Sequence, residues 1–292
     1  LPRHESTFSV VRPQADREAP TYQAVTTREG LEALVRSIRE AGSFAFDVET
    51  TSTNPLLAEL VGIAVAVDSQ QGYYIPVGHR QGDQLPREEV LAALRPLFEA
   101  QELAKIAHNG QYDISVLANE GVPVQGLAFD TMLAAHLLGD NAVGLKPLSF
   151  QRLQVEMTPI TDLLGRGLKQ LTMDLVPIDQ ATPYAGADAV MTCRLWEILQ
   201  KELRDEGLES VFQDVEMPLV PVLMRMEREG IALDGNVLAA MALDLRPKLQ
   251  ELEERVHYGA GEQFNLNSTQ QLAVILFDKL GLPHSKRTKT VY

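Results

Sequence analysis

The chain has 292 residues, 45% hydrophobic and 23% charged, ordinary proportions for a globular protein with room for one large domain and part of another. No apolar run reaches about 18 residues, the N-terminus lacks a signal-type apolar core, and the lone Cys193 excludes an internal disulfide and a cysteine zinc site. The net charge of -14 argues, on its face, against nucleic acid, whose binders usually carry basic patches.

Residues 1–21 read as a polar, proline-bearing linker. YQAV then forms a short strand, and TREGLEALVRSIREAG an amphipathic helix capped by Thr26 or Thr27. SFAFDVE, LVGIAVAV and GYYIPV are strand-length apolar runs parted by polar turns. PREEVLAALRPLFEA predicts a helix, AKIAHN a fourth strand, and GQYDISVLANEG helical spacing again. LAFDTMLAAHLLG leads from strand to helix with Asp130 as a structural N-cap. From Ile178 to about Leu208 runs a long helix, on which Cys193 reads as a small buried hydrophobe. Strands first, then strand–helix alternation, indicate the α/β class, with a mixed sheet covered by helices.

The character changes at Phe212. VFQDVEMPLVPVLMRMEREG, GNVLAAMALDLRPKLQELEERVHYGAG and NSTQQLAVILFDKLG are helical, the last beginning near Ser268 or Thr269, and the chain ends in the basic HSKRTKTVY. This part holds 11 acidic and 9 basic residues, net -2, leaving 29 and 17, net -12, before it. A phosphate substrate fits the acidic part only where bound cations supply positive charge.

Within FAFDVETTS, side-chain alternation puts Ser43, Ala45, Asp47 and Glu49 on one side and Phe44, Phe46 and Val48 on the other. The two carboxylates stand with Cα atoms roughly 6.6 Å apart. Like charges about 4 Å apart repel by roughly 4 kcal/mol at an effective dielectric of about 20. A hard divalent cation would relieve that repulsion. A solvated strand end would do so equally well, and the strand alone does not choose between them. Two further patterns carry acids. Asn109, Tyr112 and Asp113 put one on the first turns of a helix leaving a strand. Tyr184 and Asp188, four apart, share a helical face. Taken singly, each has a plain structural explanation, a helix cap or a surface pair.

Together, in this order, DVET (Asp47–Thr50), NGQYD (Asn109–Asp113) and YAGAD (Tyr184–Asp188) resemble the three motifs of the 3′–5′ proofreading exonuclease domain of family A bacterial DNA polymerases. EMPLVPVLMRMEREGIALD and FNLNSTQQLAVILFDKLGLP are similar to the opening of the polymerase domain, leading into the thumb. The resemblance implies a ribonuclease H-like mixed sheet flanked by helices over residues 22–210, followed by a mostly helical polymerase segment over 211–292. It implies that Asp47, Glu49 and Asp188 ligate one divalent cation, and that Asp47 bridges to a second supported by Asp113. Mg²⁺ is the expected ion and Mn²⁺ a substitute. Tyr184 would orient the attacking water, and Thr50, His108, Asn109 and Tyr112 would contact the terminal nucleotides. The implied substrate is a single-stranded DNA 3′ end or frayed primer-template. The protein is then expected to be a monomer, cytoplasmic, bacterial, and covalently part of a larger polymerase.

Two departures stand out. Relatives carry a larger apolar residue at Thr53 and an aromatic near Ile160, so grip on a frayed strand is expected to be weaker. The motifs of the polymerase palm and fingers are missing from the chain, which is therefore expected not to copy DNA alone. Two alternatives follow from the same motifs: a silent scaffold module of a polymerase, disfavoured by the retained acids, and an RNA-processing exonuclease, disfavoured by the polymerase-like segments.

Overall fold

The computed structural model describes residues 19–167 and 170–283; most of the expected linker and the basic tip from residue 284 lie outside the described residues. Six strands form one sheet: β1 (Thr21–Ala24), β2 (Ser43–Thr50), β3 (Leu60–Ala66), β4 (Gln71–Pro76), β5 (Ala104–Ala107) and β6 (Leu127–Asp130). The helices of this part are α1 (Arg28–Ala41), α2 (Arg87–Glu99), α3 (Gly110–Asn119), α4 (Thr131–Leu137), α5 (Leu145–Leu153), α6 (Ile160–Leu164) and α7 (Ile178–Asp205). The strand order is β1-β4-β3-β2-β5-β6. The β2–β3 and β3–β4 pairs are antiparallel, and the rest are parallel, the mixed sheet expected of a ribonuclease H-like fold. No helix among the described residues is long and apolar enough to cross a membrane.

The alternation of β2 divides the core. Phe44, Phe46 and Val48 face α1 and α2, where the rings of Phe44, Phe46 and Phe98 meet at 5.2–6.1 Å between centroids. Each such side chain contributes about 1.5–3 kcal/mol on full burial. Helix α1 offers this face the stripe Leu31, Leu34 and Ile38. Thr27, of the two candidate caps, accepts the Gly30 N–H at 3.2 Å, and Gly42 at φ 71° ends the helix.

The opposite face is built for close approach. Ala45, Ala64 and Ala66 are short, and α7 lies across the strands over them. At Gly72, any Cβ would sit 2.4 Å from the carbonyl oxygen of Gly186, and a Cβ on Gly186 would sit 2.8 Å from the Tyr22 ring. Glycine at position 72 lets β4 meet the α7 backbone directly, and glycine at position 186 leaves room for the Tyr22 ring of β1. The start of α7 is tied to β4 through His79. Its Nδ1 lies 2.8 Å from the Val176 carbonyl, which can only accept, so Nδ1 carries the proton. Nε2 therefore accepts from the Tyr74 hydroxyl at 2.7 Å.

The sequence read no element between β6 with its following helix and α7; α5, α6 and a 3₁₀ turn (Met173–Leu175) fill that stretch. Past α7, a short α8 (Glu209–Val211) passes through a π-helical turn (Phe212–Glu216) into α9 (Met217–Glu229). Val220 and Met224 of α9 are buried in the same core as Phe44 and Phe46. Composition changes at Phe212, whereas the compact units divide between Glu229 and Gly230. The second unit contains α10 (Gly235–Ala260) and α11 (Thr269–Ala273), the latter running into a π-helical turn (Val274–Lys279). Asp234 caps α10 through the Asn236 N–H at 2.9 Å, and Ser268 caps α11 through the Gln271 N–H at 3.3 Å.

Candidate functional site

Strand pairing decides where the β2 acids stand. Asp47 lies opposite Ala64 and Glu49 opposite Gly62, so neither meets a bulky cross-strand neighbour, and the register shifts just after Glu49. Asp188 comes from α7, two residues past the glycine contact with Gly72. One carboxylate oxygen from each of Asp47, Glu49 and Asp188 lies within 4.8 Å of the other two. Asp113, on the first turn of α3, accepts the Val48 N–H at 3.2 Å and is thereby fastened to β2 between the two strand acids.

A cleft of about 220 Å³ opens here, lined by Asp47, Val48, Glu49, His108, Asn109, Tyr112, Asp113, Tyr184 and Asp188. Eight of the nine residues singled out in the sequence are in that lining. The ninth, Thr50, bonds the Tyr112 hydroxyl at 2.5 Å, and that hydroxyl also donates to the Ser52 carbonyl. Tyr184 and Asp188 are both buried, so they are not the surface pair that their spacing most often signifies. A larger hollow of about 360 Å³ at the start of α7 is lined by Arg80 and Asp174, but that acid is already paired with Arg80 at 2.6 Å. The larger hollow has one further acid, Asp179, whereas the smaller cleft is where three carboxylates converge.

Electrostatics follow from crowding in a poorly hydrated place. Burial raises the Asp47 pKa, the Asp188 charge raises it further, and Lys146 opposes both. Burial, then the Asp47 and Asp188 charges, lift Glu49 well above the carboxylate range. Asp113 is raised by burial and by Asp47, against the Val48 hydrogen bond. Burial raises Asp188 less, because Lys146 pulls it back. Among the described residues, Glu49 Oε1 is buried with no hydrogen-bond partner. Such an arrangement suits a cation of high charge with oxygen ligands. Burial, followed by Asp188, Glu49 and Asp47, raises the Tyr184 pKa, so its hydroxyl stays protonated. Burial and the nearby Lys146 lower His108 to about 4, leaving it neutral.

Backbone geometry sets the floor of the cleft. Asn109 is left-handed at φ 61°, ψ 43°, a conformation Asn tolerates better than most residues. Gly110 follows because a Cβ there would meet that of Ala107 at 2.7 Å. Asp130 caps α4, as its position in the sequence indicates, and it also accepts the N–H groups of Asn109 and Gly110.

Sequence reasoning missed Lys146. Its Nζ lies 3.1 and 3.2 Å from the two oxygens of Asp188 and 4.2 Å from the centroid of the Tyr184 ring. Only its place in the fold reveals it.

Residues 22–204 match the 3′–5′ exonuclease family. The chain belongs to that family. Residues 235–292 of this 3′–5′ exonuclease family member match DNA polymerase family A. It is 44% identical over 272 residues to DNA polymerase I of Chloroflexus aurantiacus, covering 92% of this chain and 29% of the relative. To DNA polymerase I of Pseudomonas aeruginosa it is 40% identical over 277 residues, covering 92% and 30%. The chain thus spans under a third of the length of these relatives. The polymerase domain of Pol1 from M. smegmatis, solved with DNA primer-template and dNTP, superposes with a TM-score of 0.64 at 25% identity, covering 92% of this chain and 43% of that one. A nuclease solved in its apo form shares the fold at TM-score 0.53 and 19% identity, covering 73% of this chain and 95% of that one.

Proposed function

We infer that this chain is a proofreading nuclease: a 3′–5′ exodeoxyribonuclease, dependent on two divalent cations, that removes mononucleotides from single-stranded or frayed DNA. Residues 22–210 would carry the activity and 211–292 would open a polymerase domain. One observation carries the reading. Three carboxylates from β2 and α7 close to within 4.8 Å while Glu49 Oε1, buried beside them, lacks a partner among the described residues. The M. smegmatis relative, solved with DNA primer-template, supports DNA as the substrate.

Asp47, Glu49 and Asp188 would hold one cation, and Asp47 with Asp113 the second, Mg²⁺ being expected and Mn²⁺ a substitute. When bound, such a pair lowers the pKa of an attacking water and stabilises the leaving 3′ oxygen. Asp113, fixed to the Val48 amide, keeps its place as the cluster fills. The Tyr184 hydroxyl, held protonated by burial and the surrounding acids, orients the water by hydrogen bonding and does not remove its proton. Neutral His108 is steadied by Thr131 at 2.8 Å, and Tyr112 by Thr50 and Ser52, so both reach the cleft with fixed orientations. A base stacked on an aromatic such as Tyr112 gains about 1–3 kcal/mol.

Asp47→Ala or Asp188→Ala is expected to abolish degradation of a 3′-labelled oligodeoxynucleotide in Mg²⁺. Wild-type activity that persists in EDTA overturns the reading. Equal rates on the matched RNA oligomer would move the assignment to RNA processing, since the 2′-hydroxyl distinguishes the two.

A further inference from the structure

Lys146 is the second residue of α5 and brings a cation to a cluster of four acids. Its ammonium faces both oxygens of Asp188, at 3.1 and 3.2 Å, and sits over the Tyr184 ring at 4.2 Å. The Asp188 side chain is 10% exposed, whereas that of Lys146 is 25% exposed, so the lysine has a path to water that the acid lacks. An ammonium is a compact point charge on a four-carbon stem, able to leave without disturbing the backbone. Any ion that takes an Asp188 oxygen as ligand competes with this ammonium for the same carboxylate charge, and is repelled by it at close range.

We propose that Lys146 is the resident counter-cation of the acid cluster, neutralising Asp188 when no divalent ion is bound and yielding that carboxylate when one enters. The proposal rests on the cation-binding reading above and adds an exchange to it. The exchange sets a direction of effect. If Lys146 only steadied Asp188, removing it would weaken metal binding. As a competitor, its removal strengthens binding, because the ion displaces nothing and meets one more net negative charge.

The test is Mn²⁺ titration by calorimetry of the 292-residue chain, without nucleic acid, for wild type, Lys146→Met and Lys146→Arg. The Met variant is expected to bind Mn²⁺ roughly three- to tenfold tighter, the range of a partly exposed, charge-assisted ion pair. The Arg variant, which keeps the charge, should remain closer to wild type. In EDTA the Met variant should melt below wild type, with Mn²⁺ restoring the difference. Unchanged or weaker affinity in a folded Met variant overturns the proposal. A second measurement needs no variant: amine acylation of the wild type followed by mass spectrometry. Saturating Mn²⁺ should increase labelling of Lys146 relative to Lys201, whose side chain is 72% exposed. Labelling of Lys146 that Mn²⁺ leaves unchanged also overturns the exchange. If none of the three proteins binds Mn²⁺, the nuclease reading falls together with it; if wild type binds and the Met variant gains nothing, the exchange alone falls.

Discussion

The ends of β6 and β2 each bury a carboxylate, and the two are treated in opposite ways. Asp130 closes β6 and receives four backbone N–H groups, from Asn109, Gly110, Met132 and Leu133, at 2.8–3.3 Å. Two helix starts, those of α3 and α4, converge on this one side chain. Glu49, near the end of β2, has a buried oxygen with no protein donor among the described residues, and the charges that weigh most on it are those of Asp47 and Asp188. A carboxylate that serves architecture has its donors built into the fold, two from the helix it caps and two from the start of α3. In the cleft, Asp113 has the Val48 N–H and Asp188 has Lys146, but around Glu49 the fold supplies mainly repulsion, which a ligand from outside would relieve.

The contrast can be broken most sharply by substituting each kind of acid. Asp47→Asn should cost a factor of about 10³ or more in rate on a 3′-labelled oligonucleotide, since cation charge at the reacting centre is worth several kcal/mol. Its urea midpoint in EDTA should hold or rise, because one charge leaves a crowded cluster. A large loss of stability in EDTA would mean that Asp47 is structural after all. Asp130→Ala should do the reverse. It strands several buried N–H groups at two helix starts and is expected to lose about 3 kcal/mol in urea unfolding, with or without Mg²⁺.

A smaller effect sharpens the same contrast through pH. Asp47 moves from 3.8 up to about 8 in the folded chain, chiefly through burial and then Asp188. The folded protein therefore binds more protons than the unfolded one across that window, and stability in EDTA should fall as pH rises from about 4 through about 8. The change should be on the order of 1 kcal/mol per unit of net pKa displacement, and Mg²⁺ should flatten it. A melting temperature that rises steadily across the window in EDTA would show the cluster to be compensated already.

Much of this was legible because period and spacing carry it. The FAFDVE alternation fixes which side chains of β2 face the aromatic core, and the four-residue interval fixes that Tyr184 and Asp188 share a face. Asp130 reads as a cap from its place before an apolar helix. Lys146 does not read at all. The sequence of α5, LKPLSFQRL, has weak helical periodicity, and only Leu148 and Ser149 are buried, so no amphipathic stripe announces the helix. Nor does local sequence disclose that Asp113 reaches the Val48 amide, a contact 65 residues away in the chain. Both are products of tertiary placement, and they are the contacts that organise charge in the cleft.

The paired glycines, Gly72 and Gly186, make α7 a lever with a very short arm. Asp188 is only two residues beyond that fulcrum, so a methyl group at Gly72, which would meet the Gly186 carbonyl oxygen at 2.4 Å, would push one acid away from the other two. Engineers wishing to tune this nuclease without touching its chemistry have a mechanical adjustment there, and random substitution has an equally easy way to silence it.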